Sequence, residues 1–251
     1  MIRTEGIVLK EIRYKDTSKI IKVYTKEYGR ISIMARGAYR PKSKIMANTQ
    51  PFSYNEYNLH KGRNFFYLNQ GNLLNSFYCI REKMERVAYG CYMLELIEKS
   101  LPEEQEHEKI FLLLKKGLMV LEKLDKDFIK FIISYELKFI SFLGYKPYLK
   151  ACVLCENNNM KSIKFSIENG GIICSNCFKK SPFSFAIDEE TYKAMNEFLY
   201  TTLDKTYKID LPYNSLYKLH EILVEYILYN IDRKKFNTLN LMSSLMINHR
   251  I

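Results

Sequence analysis

Ile31-Ser32-Ile33-Met34-Ala35-Arg36, running on into Gly37-Ala38-Tyr39-Arg40-Pro41-Lys42-Ser43-Lys44, decides how the first third of this chain folds. Ile31, Ile33 and Ala35 alternate with Ser32, Met34 and Arg36, the period of two that lines one face of a strand. From Arg36 to Lys44 the chain carries four positive charges, no acid, a glycine and a proline, which reads as a basic loop leaving that strand. Upstream, Ile21 and Val23 alternate with Lys22 and Tyr24. Downstream, Tyr57 and Leu59 alternate with Glu56, Asn58 and His60. Turn signals at Tyr28-Gly29, Lys61-Gly62-Arg63-Asn64 and Gln70-Gly71-Asn72 separate the runs. A first strand over 6–12 and a last over 64–70 bring the count to about five short strands. A small antiparallel barrel fits that count, and the five-stranded OB-fold is the natural candidate.

From about residue 81 the period changes to that of helices. Met84, Val87, Cys91 and Leu94 form one stripe, and Phe111, Leu114, Leu118 and Leu121 a second. Phe128, Phe131, Tyr135, Phe139 and Phe142 form a third, which should stop at Gly144 with Pro147 beyond. Asp188 suits the N-cap of a helix carrying Tyr192, Met195 and Leu199. Pro212 suits the first turn of another, with Leu216, Leu219, Leu223 and Ile227, and a short helix is expected over 239–246.

The chain has 251 residues, 47% apolar and 27% charged, a globular balance able to bury a core. No apolar run is long enough for a spanning helix, and the first residues lack the apolar stretch of an export signal. A reducing cytoplasm is therefore expected, where clustered cysteines bind metal rather than pair. The net charge of +11 is uneven, because residues 1–80 hold 14 Lys and Arg against 5 Asp and Glu. A basic barrel joined to a near-neutral remainder points to a polyanion partner, most commonly nucleic acid. The competing reading is a Lys-rich surface that only confers solubility.

Cys152-Val153-Leu154-Cys155 and Cys174-Ser175-Asn176-Cys177 are two CxxC knuckles with 18 residues between them. Two cysteines three apart can aim thiolates at one ion from a tight turn, and a second knuckle completes a tetrahedron. The runs 164–167 and 170–173 read as a hairpin returning the chain to the metal. Four thiolates close the shell of a structural Zn2+, whereas a catalytic zinc keeps a position open for water. A deaminase needs an H-x-E motif, and none of His60, His107, His220 and His249 has that setting. Cys91 lies on an apolar stripe as a small hydrophobe, and Cys79 has no neighbour that would activate it.

In the basic loop, Arg36, Arg40, Lys42 and Lys44 suit phosphate tracking, with Tyr39 available to stack on a base. Arg13, Lys22, Lys61 and Arg63 add charge on the strands and at a hairpin tip. The alternative is a solvated loop. Glu103-Glu104 and Glu189-Glu190 are read as helix starts, where the dipole favours acids. No Walker A, GxSxG or HExxH motif occurs, so a binding protein is expected rather than an enzyme.

Together these parts resemble the RecO family of bacterial recombination mediators. The resemblance rests on the Thr4-Glu5-Gly6-Ile7-Val8-Leu9 opening, on Gly29-Arg30 followed by Ala35-Arg36-Gly37-Ala38 and Arg40-Pro41-Lys42-Ser43, and on Tyr135-Glu136-Leu137. It continues through Leu143-Gly144-Tyr145-Lys146-Pro147 into the first knuckle. It implies an α+β multidomain chain, with an OB-fold barrel over 1–80 and a helical domain over 81–251. A four-cysteine zinc finger over 148–182 interrupts the helical domain. It also implies binding of single- and double-stranded DNA, annealing of complementary strands, and action with RecR to load RecA onto strands coated by single-stranded DNA-binding protein (SSB). It implies zinc ligation by Cys152, Cys155, Cys174 and Cys177, and DNA contact by Arg36, Arg40, Lys42 and Lys44. It further implies an apolar pocket with a basic rim for the acidic, Phe-ended SSB tail, for which Lys115, Lys116 and Lys130 are candidates. A cytoplasmic, nucleoid-associated protein with no membrane contact is expected. The rival readings are a zinc-ribbon RNA-binding or ribosome-associated protein, a metal-dependent nucleic-acid enzyme, and a scaffold with incidental charge.

Overall fold

The computed structural model describes residues 1–158 and 162–247; His249 lies outside the described residues. The chain forms two compact units, residues 1–123 with the returning chain from 236, and residues 124–235. The first two helices and the last one belong with the barrel, because their apolar faces pack on its strands and on each other.

In the first unit, β1 (Ile2–Tyr14), β2 (Ser18–Thr25), β3 (Gly29–Ala35), β4 (Tyr54–Lys61) and β5 (Phe66–Asn75) form a closed barrel in the order β1-β2-β3-β5-β4. Pairing of β1 with β4 closes it. This is the expected OB-fold barrel, with one exception to the antiparallel rule. β3 and β5 pair in parallel, Ile33 with Phe66 and Met34 with Tyr67. The inward residues are the ones that alternation picks out: Val8, Ile21, Val23, Ile31, Ile33, Tyr57, Leu59 and Phe66. Both terminal strands outrun the sequence reading. The Gln70-Gly71-Asn72 turn signal lies inside β5, where Gly71 pairs with Tyr57 and Asn48 packs over it. A glycine in a strand here marks a close approach rather than a turn.

α1 (Met84–Ser100) and α2 (Glu108–Leu121) follow. Phe111 of α2 meets Tyr24 and Tyr54 of the barrel. The stripe expected on α1 holds at Leu94, which is buried, but not along the rest of its length. Met84 is exposed, Val87 and Cys91 are half-buried, and Tyr89, Tyr92, Met93, Leu96 and Ile97 carry the burial. α1 is buried nearly all round from Ala88 to Ile97, so no single face stands out in its sequence. In the second unit, α3 (Phe128–Phe142), α4 (Glu189–Tyr200) and α5 (Tyr213–Asn230) are the helices, and α6 (Leu239–Ile247) returns to the first. Glu95 accepts hydrogen bonds from the Asn237 and Thr238 backbone N–H groups at 2.9 Å, tying the chain before α6 to α1.

α3 buries Phe131, Tyr135 and Phe139 and ends in the expected glycine. Gly144 has φ +99°, and the N–H groups of Gly144 and Tyr145 bond back to the Ser141 and Ile140 carbonyls at 3.1 and 3.0 Å. Asp188 caps α4 by accepting from the Thr191 N–H at 2.7 Å. The knuckle segment carries β6 (Ile163–Ser166) and β7 (Gly171–Cys174) as expected. A third strand, β8 (Ser184–Ile187), completes the sheet β7-β6-β8. Its four residues are too short a run to announce themselves in sequence. No helix among the described residues is long and apolar enough to cross a membrane.

Candidate nucleic-acid interface and metal centre

The thiol sulfurs of Cys152, Cys155, Cys174 and Cys177 all lie within 4.8 Å of one another. A tetrahedral shell with Zn–S near 2.3 Å separates its sulfurs by about 3.8 Å. Cys155 Sγ and Cys174 Sγ stand 3.6 Å apart, so the cage is the right size, and none of the four is in a disulfide. The first knuckle is shaped by the Glu156 N–H bonding back to the Cys152 carbonyl at 2.8 Å, with Glu156 in the left-handed region. Val153 N–H bonds to the Ile172 carbonyl at 2.8 Å, locking that knuckle to β7, which delivers Cys174. A short 3₁₀ turn, Ser175–Lys180, delivers Cys177. Ile173, Val153, Leu154 and Phe178 wrap the cluster in apolar surface. Burial raises the Cys152 thiol, but backbone N–H donors led by that of Cys174 outweigh it and bring the group down to about 6. The cluster could hold a metal ion.

The barrel sorts the basic residues into two sets. The loop after β3 lies at the same end as the β1–β2 turn, because β2 and β3 are antiparallel. The Tyr39 N–H bonds to the Thr17 carbonyl at 2.9 Å, and the Gly37 N–H to Ser18 Oγ at 3.4 Å. Successive turns then bond Arg40 to Gly37, Ser43 to Arg40 and Met46 to Ser43. The expected basic loop is thus a chain of turns stitched to β2, with Ala38 buried in it. Arg13, Arg36, Tyr39, Arg40, Lys42 and Lys44 are exposed there, as is Lys15 on the β1–β2 turn. Tyr39 is not wholly open to a base, since Lys19 Nζ stands 4.5 Å and Arg13 Cζ 5.8 Å from its ring centre. Lys19 itself is buried and ion-paired with Glu11.

Sequence reading missed an aromatic pair beside this loop. His60 and Tyr67 stack with ring centres 4.9 Å apart, and Arg36 Cζ sits 5.0 Å from the Tyr67 ring. The signal was present in the cross-strand pairing of β4 with β5, which turns Phe66 into the core and Tyr67 out beside the loop.

Lys22, Lys61 and Arg63 form the second set, lining the outer face of β2–β3 and the β4–β5 hairpin. The connection between α1 and α2 lies across them. Lys22 Nζ pairs with Glu103 at 2.8 Å and also donates to Ser32 Oγ at 2.7 Å; Lys61 Nζ pairs with Glu104 at 2.7 Å. The Lys22 hydrogen bond, aided by Arg30, holds the Glu103 carboxyl below its usual range. Arg63 lines a small groove with these same acids. Glu103 and Glu104 therefore do not start a helix; α2 begins at Glu108. Lys115 donates to Tyr54 Oη at 2.6 Å on the barrel, Lys116 is exposed on α2, and Lys130 pairs with Asp127 at 3.7 Å in the other unit. An apolar cavity of about 340 Å³ lies in the second unit, lined by Ile167, Phe183, Phe185, Leu228 and Tyr229, with Glu168, Glu225, Arg233 and Lys234 as its charged lining.

The family described as "Recombination protein O N terminal" matches residues 1–77, and "Recombination protein O C terminal" matches residues 81–240. The DNA repair protein RecO of Alkaliphilus metalliredigens is 34% identical over 241 residues, covering 96% of this chain and 98% of its own. That of Bacillus pumilus is 34% identical over 252 residues, 98% and 97% of the two chains. That of Bacillus subtilis is 32% identical over 224 residues, 89% and 87%.

Proposed function

The chain belongs to the RecO family of DNA repair proteins, and from that premise we propose that it is a non-enzymatic recombination mediator. It binds single- and double-stranded DNA, anneals complementary strands and, with RecR, helps to load RecA onto SSB-coated single strands in the cytoplasm at the nucleoid. The observation that carries this reading is the barrel end where Arg13, Arg36, Arg40, Lys42 and Lys44 stand exposed around the loop. Each cation set against a phosphate releases counterions, which supplies affinity without reading sequence. Screening two backbones at once lets bases meet, and pairing then supplies the free energy of annealing. Stacking on the open part of Tyr39 suits unpaired bases.

Cys152, Cys155, Cys174 and Cys177 would hold a structural Zn2+. When bound, the ion supplies a cross-link between the two knuckles and no catalytic step, since four thiolates leave no position for water. The finger is too small for a core of its own, so its order depends on that link. For the SSB tail, the second-unit cavity offers Phe183, Phe185 and Tyr229 to an apolar C-terminal residue, and Lys234 to an acid beside it, with Glu168 and Glu225 on the same lining limiting how many tail acids it can take.

The test is annealing of complementary oligonucleotides coated with the cognate SSB, without ATP. Acceleration that depends on the acidic SSB tail is the expected result. If coated strands stay apart while naked RNA is bound in preference to DNA of equal length, the mediator reading falls and the RNA-binding alternative replaces it.

A further inference from the structure

The segment 101–108 contains Glu103, Glu104, Glu106 and Glu108 and lies along the barrel face that OB-folds commonly offer to nucleic acid. Its fit to that face is close. Arg30 and Glu103 form a parallel bridge, the Glu104 N–H bonds to the Arg30 carbonyl at 3.0 Å, and Arg30 Nε donates to the Leu101 carbonyl at 2.7 Å. Tyr24 Oη donates to the His107 carbonyl at 3.1 Å. Gly29, at φ +61°, faces the strap so closely that a Cβ there would lie 2.0 Å from the Gln105 carbonyl oxygen. The barrel has a glycine where the strap crosses.

The side chains on this crossing are charges rather than apolar anchors. Between buried Leu101 and half-buried His107, all five residues are exposed. The carboxylates meet Lys22 at 2.8 Å, Lys61 at 2.7 Å and Lys26 at 3.3 Å. These are the partners that phosphates would take. Exposed ion pairs of this kind contribute about 1 kcal/mol or less each, and polyanions and salt compete for them directly. Glu104 is also held in the left-handed region at φ +55°, a conformation that disfavours a residue with a Cβ. The strap backbone is thus well seated by a few hydrogen bonds to Arg30 and Tyr24, while its carboxylates are held only by exposed ion pairs.

We propose that the 101–108 strap stands in for nucleic-acid phosphate, masking a second phosphate-binding surface at Lys22, Lys26 and Lys61 that accepts a strand only when the strap lifts. The proposal rests on the nucleic-acid reading above and extends it. The loop end with Arg36, Arg40, Lys42 and Lys44 is always open, whereas the β2–β3 face is conditional.

Salt titration of binding to an oligothymidylate by the full chain tests it, with four variants alongside the parent. In Glu103→Gln/Glu104→Gln two cations are unmasked, so the log–log salt slope should steepen by about 1.4 and affinity at 0.1 M salt rise by up to about 25-fold, at roughly 0.7 per contact on single strands. Lys22→Gln/Lys61→Gln alone should match the parent, and the quadruple variant should lose the gain. Glu106→Gln, which alters a strap acid with no ion-pair partner among the described residues, should change neither slope nor affinity. A gain that survives in the quadruple variant, a per-charge gain of equal size in Glu106→Gln, or no gain at all would overturn the strap. If the parent chain itself binds no oligonucleotide at low salt, the nucleic-acid reading fails first.

Discussion

Replacing Arg36, Arg40, Lys42 and Lys44 together by Gln should remove most of the electrostatic part of DNA binding. All four are exposed, and none has an ion-pair partner among the described residues, so each is available to a phosphate without breaking an ion pair. At about 0.7 per contact on single strands, four lost contacts flatten the log–log slope by about 2.8 and weaken binding by about 600-fold at 0.1 M salt. Arg36 also sits against Tyr67, so its loss bares a ring; that adds apolar surface but no charge. The fold should be intact, because the loop is held by backbone bonds to Thr17 and within its own turns rather than by these side chains. Fluorescence anisotropy of a labelled oligothymidylate across a salt series measures both quantities. An unchanged slope, or a loss of affinity that is equal at every salt concentration, would refute the assignment of this loop.

Metal removal should unfold the finger and leave the loop's affinity in place. Cys174→Ser or a strong chelator should abolish bound zinc, measured as one ion per parent chain, and amide exchange should rise in β6, β7 and the Ser175–Lys180 turn. Gly144→Ala meets no neighbour within 4 Å, so its cost is purely that of φ +99°, about 1–2 kcal/mol, read as a lowered thermal midpoint. At Glu95, burial raises the carboxyl, but Lys99 and the Asn237–Thr238 donors outweigh it and leave the group below its usual range. Its contribution is therefore present above about pH 5, near and above the unfolded value of about 4.3, and lost as pH falls through the lowered folded value. Glu95→Gln should destabilise by about 1–3 kcal/mol at pH 7 and flatten the acid limb of the stability profile; a steep limb in the variant would assign that limb to other carboxylates.

What the sequence made legible was what depends on near neighbours. Alternation over Ile31–Ala35 and Ile21–Val23 named the barrel core because the strand period acts within a few residues. The Leu143-Gly144 stop and the Asp188 cap are local backbone requirements, and both stand where local chemistry puts them. The cysteines were readable because two CxxC turns are local and the ion's geometry supplies the long-range condition. α1 was not readable in the same way. Its environment is apolar on nearly every side, so periodicity carried no direction, and the buried Glu95 there answers to residues 142 and 143 positions away.

The acids at 103 and 104 show the same limit in a form that matters for function. Two adjacent glutamates before an apolar stripe obey the helix-start rule, and nothing within ten residues argues otherwise. Their partners, Lys22 and Lys61, lie 81 and 43 positions upstream. Read singly, those lysines belong with the basic loop as DNA contacts, and the glutamates belong to a helix dipole. Only the register of β3 against the connection, set by the Arg30–Glu103 bridge, brings the two sets face to face. Net charge therefore overstates the open basic surface of this barrel. The +11 of the whole chain includes cations already matched by carboxylates across the β2–β3 face. A charge count predicts the partner's sign, but the footprint follows from which cations the fold leaves exposed.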